Sequence, residues 1–96
     1  MNLKENPDDF YKRFQQQLEN SQKWPGMYMF KFILKSNSKN IYKIMDLFNN
    51  PTDGVSLVNS SKNKFQSLTI IIVMKSPLEV LDIYKKVSDF EGVIIL

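Results

Sequence analysis

The sequence of 96 residues contains no cysteine and no histidine. Without cysteine the chain cannot form a disulfide framework, a zinc–thiolate cluster or a cysteine nucleophile. Without histidine it lacks the commonest general base and the imidazole that most metal sites use. The carboxylates form no cluster with the spacing of a calcium loop and no pair suited to general acid and base catalysis. We therefore predict no metal, no cofactor and no enzymatic activity.

Long apolar runs are missing as well. The longest one is far too short to span a bilayer, and the N-terminal residues 1–7 lack the apolar core of a signal peptide. These features predict a cytoplasmic protein with no membrane association. The net charge is +3, and the lysines are spread along the chain rather than clustered. This distribution favours solubility and weak attraction to anions, and does not by itself indicate nucleic-acid binding.

The most informative stretch of the chain is 65–75, which is rich in β-branched residues and has no Gly or Pro. It predicts a long central strand. Side chains alternate between the two faces of a strand, and from residue 68 onward one of these faces is entirely apolar. The apolar face should point into the core, and its residues are Leu68, Ile70, Ile72 and Met74.

A second strand is predicted at 27–35, where an apolar, mostly aromatic set alternates with a set that includes two lysines. Two lysines cannot enter a thin core, so the set Tyr28, Phe30, Phe32 and Leu34 should face inward. Helical spacing and capping residues predict three helices, and weaker strand signals predict two further strands. The helices are expected at about 7–20, 39–48 and 77–87, and the strands at 55–59 and 93–96.

The predicted order is a helix followed by β-α-β-β-α-β. This order is typical of an α+β protein, the ferredoxin-like two-layer sandwich, with an antiparallel sheet of strand order 4-1-3-2 and an extra N-terminal helix. The division of the chain is residues 1–25 for the N-terminal helix and linker, and 26–96 for the ferredoxin-like domain. This order places the two longest and most apolar strands in the centre of the sheet.

Several activities known on this fold are disfavoured by the residues present. Metal chaperones need a cysteine pair, nucleoside diphosphate kinases need a histidine, and acylphosphatases need an arginine after the first strand. The chain has one arginine, Arg13, and it lies in the N-terminal helix. RNA-recognition modules stack bases on aromatic residues of the uncovered sheet face. The predicted outward residues include no aromatic; they are Met29, Lys31, Ile33, Ser67, Thr69, Ile71 and Val73.

The uncovered face would expose an apolar patch, and such patches are usually covered. The candidate interface residues are Met29, Ile33, Ile71 and Val73. The sequence offers two covers for them. One is the N-terminal helix, through Phe10, Phe14 and Leu18, and the other is a second copy of the sheet, which would give a homodimer.

A polar loop precedes the central strand and concentrates hydroxyl, amide and ammonium groups. It is a candidate site for a ligand or partner, because such donors can converge on a carboxylate or phosphate. The same residue types are also common in solvated turns. The candidate residues are Ser60, Ser61, Lys62, Asn63 and Lys64.

Four segments resemble the YbeD-like family of uncharacterised bacterial proteins, domain of unknown function 493. They are Trp24–Pro25, residues 28–32, residues 60–70 and residues 91–94. The resemblance implies a ferredoxin-like fold similar in shape to the ACT-type regulatory domain of phosphoglycerate dehydrogenase, which binds a small amino acid at a domain interface. It also implies a regulatory or metabolite-sensing role, which has been linked to lipoate metabolism, and supplies no catalytic residues.

The sequence therefore predicts a small regulatory or interaction domain that binds a protein partner or a small anionic metabolite. Nucleic-acid binding is the alternative, and we regard nucleic acid as a less favoured partner. In ACT-type domains the turn after the first strand usually contains Gly, where the backbone approaches the ligand. The corresponding segment here, 35–39, has none, which argues against amino-acid binding at that turn.

Overall fold

The computed structural model describes residues 6–60 and 62–96. These residues form three helices and a four-stranded antiparallel sheet, and so confirm the α+β class. The elements, in chain order, are α1 (Pro7–Ser21), β1 (Gly26–Lys35), α2 (Asn40–Leu47), β2 (Val55–Asn59), β3 (Phe65–Met74), α3 (Pro77–Val87) and β4 (Ile94–Ile95).

The helix starts follow from local hydrogen bonds that the sequence indicates. The Asn6 side chain accepts a hydrogen bond from the backbone N–H of Asp8 at 2.9 Å, with Pro7 in the first helical position. Ser76 caps α3 in the same way, because its hydroxyl accepts from the N–H of Glu79 at 3.3 Å. Such caps satisfy N–H groups that a helix start leaves without partners.

The strands lie in the order β2-β3-β1-β4. Read from the other edge, this order has the same neighbours as the expected order 4-1-3-2. The two long strands, β1 and β3, pair along their whole length and occupy the centre of the sheet. The last strand is shorter than predicted, since only Ile94 and Ile95 pair with β1.

The core lies between the sheet and the helices. Phe30, Phe32 and Ile70 are completely buried, and the aromatic ring of Phe30 packs edge-on against that of Phe48 on the loop after α2. The predicted inward orientation of both central strands is thereby confirmed. The orientation holds because Lys31 and Lys35 share one face of β1, and that face has to remain in contact with water.

Helix α1 was one of the two covers expected for the uncovered face of the sheet, and it lies elsewhere. Phe14 contacts the ring of Tyr84 on α3, with the ring centroids 5.8 Å apart, and Leu18 is buried in the main core. The helix therefore lies on the helical side of the sheet, and the expectation that it covers the other side is wrong. The stripe of Phe10, Phe14 and Leu18 is apolar, but Tyr84 of α3 and the core give it a partner on the helical side of the sheet.

Candidate functional site

The side of the sheet that faces away from the helices, called here the open sheet face, carries exposed apolar side chains. Directly paired residues of antiparallel strands share a face, and the pairs here are Met27–Val73 and Met29–Ile71. These four side chains are between 41% and 59% exposed. Ile33, the remaining predicted interface residue, is half-buried and pairs with Ile94 of β4. The structure thus places all four predicted interface residues on one surface.

The open sheet face also carries two lysines of β1 beside its apolar residues. Lys31 pairs with Thr69, and Lys35 pairs with Phe65, beyond the apolar pairs along the same two strands. None of the four described strands contains an Asp or a Glu. The face therefore divides into an apolar end and a lysine-bearing end, and its own strands supply no carboxylate to neutralise the lysines.

One expectation about this face is wrong. The outward residues were expected to include no aromatic, yet Phe65 lies on the open sheet face and is 43% exposed. It occupies an odd-numbered position of β3, like Ile71 and Val73, and the strand is already regular at this first residue. A single ring at the end of the sheet does not form the platform of several aromatics on which RNA-recognition modules stack bases.

The predicted polar loop is a tight turn. The Ser60 hydroxyl accepts a hydrogen bond from the N–H of Phe65 at 3.2 Å, and the N–H of Asn63 bonds to the Ser60 carbonyl at 2.9 Å. The side chains of Lys62 and Lys64 are exposed. Ser61 lies outside the described residues. The Ser60 hydroxyl and carbonyl thus close the turn. Among the described loop residues, the exposed side chains of Lys62, Asn63 and Lys64 remain available to a ligand.

A second surface, which sequence reasoning missed, is an apolar groove of about 520 Å³ between α1, α3 and the edge of β1. Its volume lies within the range of about 300–1,000 Å³ that is usual for ligand sites. We call it the aromatic groove. Helical and strand periodicity assigned most of its residues to the core, so no sequence signal distinguished them. They are Phe10, Tyr11, Phe14, Tyr28, Tyr84, Ser88, Ile95 and Leu96.

Two tyrosines form the polar part of the aromatic groove. The hydroxyl oxygens of Tyr28 and Tyr84 lie 2.9 Å apart and share a hydrogen bond. Burial raises the pKa of the Tyr84 hydroxyl well above its usual value, and the hydrogen bond to Tyr28 adds to this effect. Both causes favour the neutral phenol over the phenolate. Two hydroxyls use one hydrogen to bond each other, so the pair keeps one hydrogen to donate.

A depression of mixed lining lies at the far end of the sheet, between the β1–α2 turn and β2. Its volume is about 530 Å³, and Lys39, Tyr42 and Gln66 are among its lining residues. Asn37 in this turn takes a left-handed backbone conformation, with φ of 66°. The turn adopts this conformation without a Gly, because Asn tolerates it better than most residues that have a side chain.

Two further properties concern the described residues alone. Each helix within residues 6–60 and 62–96 falls short of the length and hydrophobicity that a bilayer crossing requires. No group of three carboxylates within the same ranges lies close enough to hold a metal ion.

Comparison with known proteins gives one match. No curated protein and no solved structure matches the chain. The family described as "Protein of unknown function (DUF493)" matches residues 19–96, which include the whole sheet, α2 and α3. Most of α1 precedes the matched region, so the aromatic groove is formed between the family's domain and a helix that lies largely outside it. The match spans well over half of the sequence, and the chain therefore belongs to the DUF493 family.

Proposed function

We propose that this chain is a non-catalytic domain of the ferredoxin-like type that binds a partner protein through the open sheet face. The observation that carries the proposal is the exposure of Met29, Ile71 and Val73 at the apolar end of the central strands. Exposed apolar side chains that lie next to one another are typical of interaction sites. The described helices pack on the opposite side of the sheet and leave this patch uncovered.

The charge of the same face indicates what kind of partner it fits. Lys31 and Lys35 lie beside the apolar patch, and the described strands offer them no carboxylate. A segment with apolar residues and several Asp or Glu would bury the patch and pair with the lysines. A second copy of the sheet would bring the same lysines and no acidic strand residue. Charge complementarity therefore favours an acidic segment of another protein over a homodimer.

A regulatory role of the ACT type agrees with this proposal in one respect and differs in another. ACT-type domains act by binding and not by catalysis, as we propose for this chain. We also propose the cytoplasmic location that the sequence predicts. The depression at the β1–α2 turn could take a small anionic metabolite beside Lys39. The open sheet face is the better supported surface, because both its exposure and its charge point to the same partner.

The proposal is tested by selecting linear peptides from a displayed library on the full chain. Each selected peptide is then measured against Ile71→Asp and against the control Leu78→Asp. Leu78 is 62% exposed and lies on α3, on the helical side of the sheet. We expect acidic peptides with apolar residues to be selected, and to lose binding to Ile71→Asp while they keep binding to Leu78→Asp.

Two other occupants of the face have distinct results. A homodimer would double the mass in light scattering as concentration rises, and Ile71→Asp would abolish the increase. A nucleic-acid site would bind single-stranded RNA or DNA with affinity that falls steeply as salt increases. Either result, or acidic selected peptides that bind Ile71→Asp as well as they bind the control, would overturn the proposed acidic partner.

A further inference from the structure

The edge of the sheet formed by β1 is only partly occupied. β1 runs from Gly26 to Lys35, whereas β4 pairs with Phe32 and Ile33 alone, and Leu96 adds one hydrogen bond to Lys31. The segment of β1 from Gly26 to Phe30 therefore has β3 on one side and no described strand on the other. We call this segment the free edge.

The bond to Lys31 shows which backbone groups point outward. The N–H of Leu96 donates to the Lys31 carbonyl at 3.0 Å, so Lys31 presents its backbone groups to the β4 side. Backbone groups of successive residues point to opposite sides of a strand. Met27 and Met29 therefore also point away from β3, and neither bonds to another described residue on that side. Such unpaired groups are a template for an added strand.

The aromatic groove lies behind this free edge, on the helical side of the sheet. Tyr28, in the middle of the free edge, forms part of the groove wall. Ile95 of β4, which pairs with Phe32, also lines the groove. A strand that continues the line of β4 would place alternate side chains opposite Phe30 and Tyr28, on the same face as Ile95. Those side chains would enter the groove.

We propose that the free edge and the aromatic groove together bind an extended peptide segment of a partner protein, antiparallel to β1 and in line with β4. The backbone of the peptide pairs with Met27 and Met29, and large apolar side chains at alternate positions fill the groove. This mode of recognition takes its affinity from main-chain hydrogen bonds and its specificity from pockets for every second side chain. The site does not depend on the open sheet face.

A peptide strand fits this place better than a second copy of the domain. The free edge is bounded on one side by Leu96, which bonds to Lys31, and on the other by the loop that contains Trp24, whose Nε1–H donates to the Leu18 carbonyl at 2.9 Å. A single strand can enter between these boundaries. Another copy would bring its own α1 and β4 along with its β1 edge, which is more than the single strand that these boundaries admit.

The first measurement is hydrogen exchange of the full chain, resolved by residue with NMR. We expect the amides of Met27 and Met29 to exchange much faster than those of Tyr28 and Phe30, which point toward β3. A peptide with alternating apolar residues, selected from a displayed library of linear peptides, should then protect the Met29 amide. Protection of this amide without any peptide, together with a doubled mass, would instead indicate a pair of β1 edges and would overturn the proposal.

The second measurement compares Met29→Pro with Met29→Val. Both remove the methionine side chain, but only proline removes the N–H that faces the free edge, and β1–β3 pairing does not use that N–H. We expect Met29→Pro to bind the peptide about tenfold more weakly than Met29→Val, as the loss of a main-chain hydrogen bond predicts. Equal binding by the two variants would overturn the proposal.

A third variant keeps the test valid if proline disturbs the strand. Phe10→Asp changes an exposed residue of α1 that lines the groove and should leave the core intact. We expect it to weaken the same peptide, whereas Ile71→Asp on the open sheet face should leave it unchanged. Loss of binding with Ile71→Asp but not with Phe10→Asp would assign the peptide to the open sheet face, and would overturn this inference while supporting the proposed function.

Discussion

The hydroxyl oxygens of Tyr28 and Tyr84 lie 2.9 Å apart and join β1 to α3 beside the aromatic groove. Their rings also meet edge to face, with centroids 6.4 Å apart. The two residues are separated by 56 positions in the chain, so folding has to bring them together. This pair connects the stability of the domain with the wall of a candidate binding site.

The raised pKa of Tyr84 predicts a pH dependence of stability. The unfolded chain ionises its tyrosines near pH 10, while the folded chain keeps the Tyr84 proton. The unfolded state thus binds fewer protons above this pH, and the free energy of unfolding falls as pH rises, by up to about 1.4 kcal/mol per pH unit from this group. Urea unfolding between pH 8 and 11 should show a shallower decline for Tyr84→Phe. Parallel curves for the two proteins would contradict this prediction.

The orientation of β1 predicts effects of very different size on stability at two neighbouring positions. Phe30 is completely buried, and we expect Phe30→Ala to lower the free energy of unfolding by about 3–5 kcal/mol. Met29→Ala should change it by less than about 0.5 kcal/mol, because Met29 is exposed on the open sheet face. Chemical denaturation of both variants checks this, and a large loss with Met29→Ala would show that the face is covered in solution.

Two glycines with the same backbone angle should differ in their tolerance of alanine. Gly54 and Gly92 both have φ of 73°, where a side chain costs about 1–2 kcal/mol. A Cβ on Gly92 would meet open space, whereas a Cβ on Gly54 would overlap the carbonyl oxygen of Ile71. Gly54→Ala should therefore lower the free energy of unfolding by at least about 1 kcal/mol more than Gly92→Ala. The losses are measured by thermal or urea unfolding. Equal losses would show that the backbone at the start of β2 shifts and makes room for the added Cβ.

The two exposed lysines of the polar loop predict a change in binding without a change in stability. Lys64 directly precedes Phe65, so the loop adjoins the lysine-bearing end of the open sheet face. The double variant Lys62→Ala, Lys64→Ala should weaken an acidic peptide that binds this face, mainly by slowing its association. The melting temperature should stay unchanged, because both side chains are exposed and neither has a described partner. Unaltered association kinetics at low salt would indicate that the loop is a solvated turn with no role in binding.

Alternation of residues within single strands was sufficient to orient the sheet. In β1 the lysines share a face with Met29 and Ile33, so only one orientation keeps their ammonium groups in water. In β3 the apolar set begins at Leu68, and only one orientation buries it. The caps at Asn6 and Ser76 were readable for a similar reason, since both act within three residues of themselves. The interface candidates Met29, Ile33, Ile71 and Val73 follow from the same local rule.

The sequence by itself thus determined which side chains face the core, because that choice depends on neighbours within one strand or one helical turn. Only the tertiary structure decided where α1 lies, how little of β1 is paired by β4, and that Tyr28 meets Tyr84 beside a groove. An apolar stripe such as Phe10, Phe14 and Leu18 gains similar free energy from any apolar surface that it buries. Which surface it covers is settled by competition among distant parts of the chain, and periodicity does not record that competition.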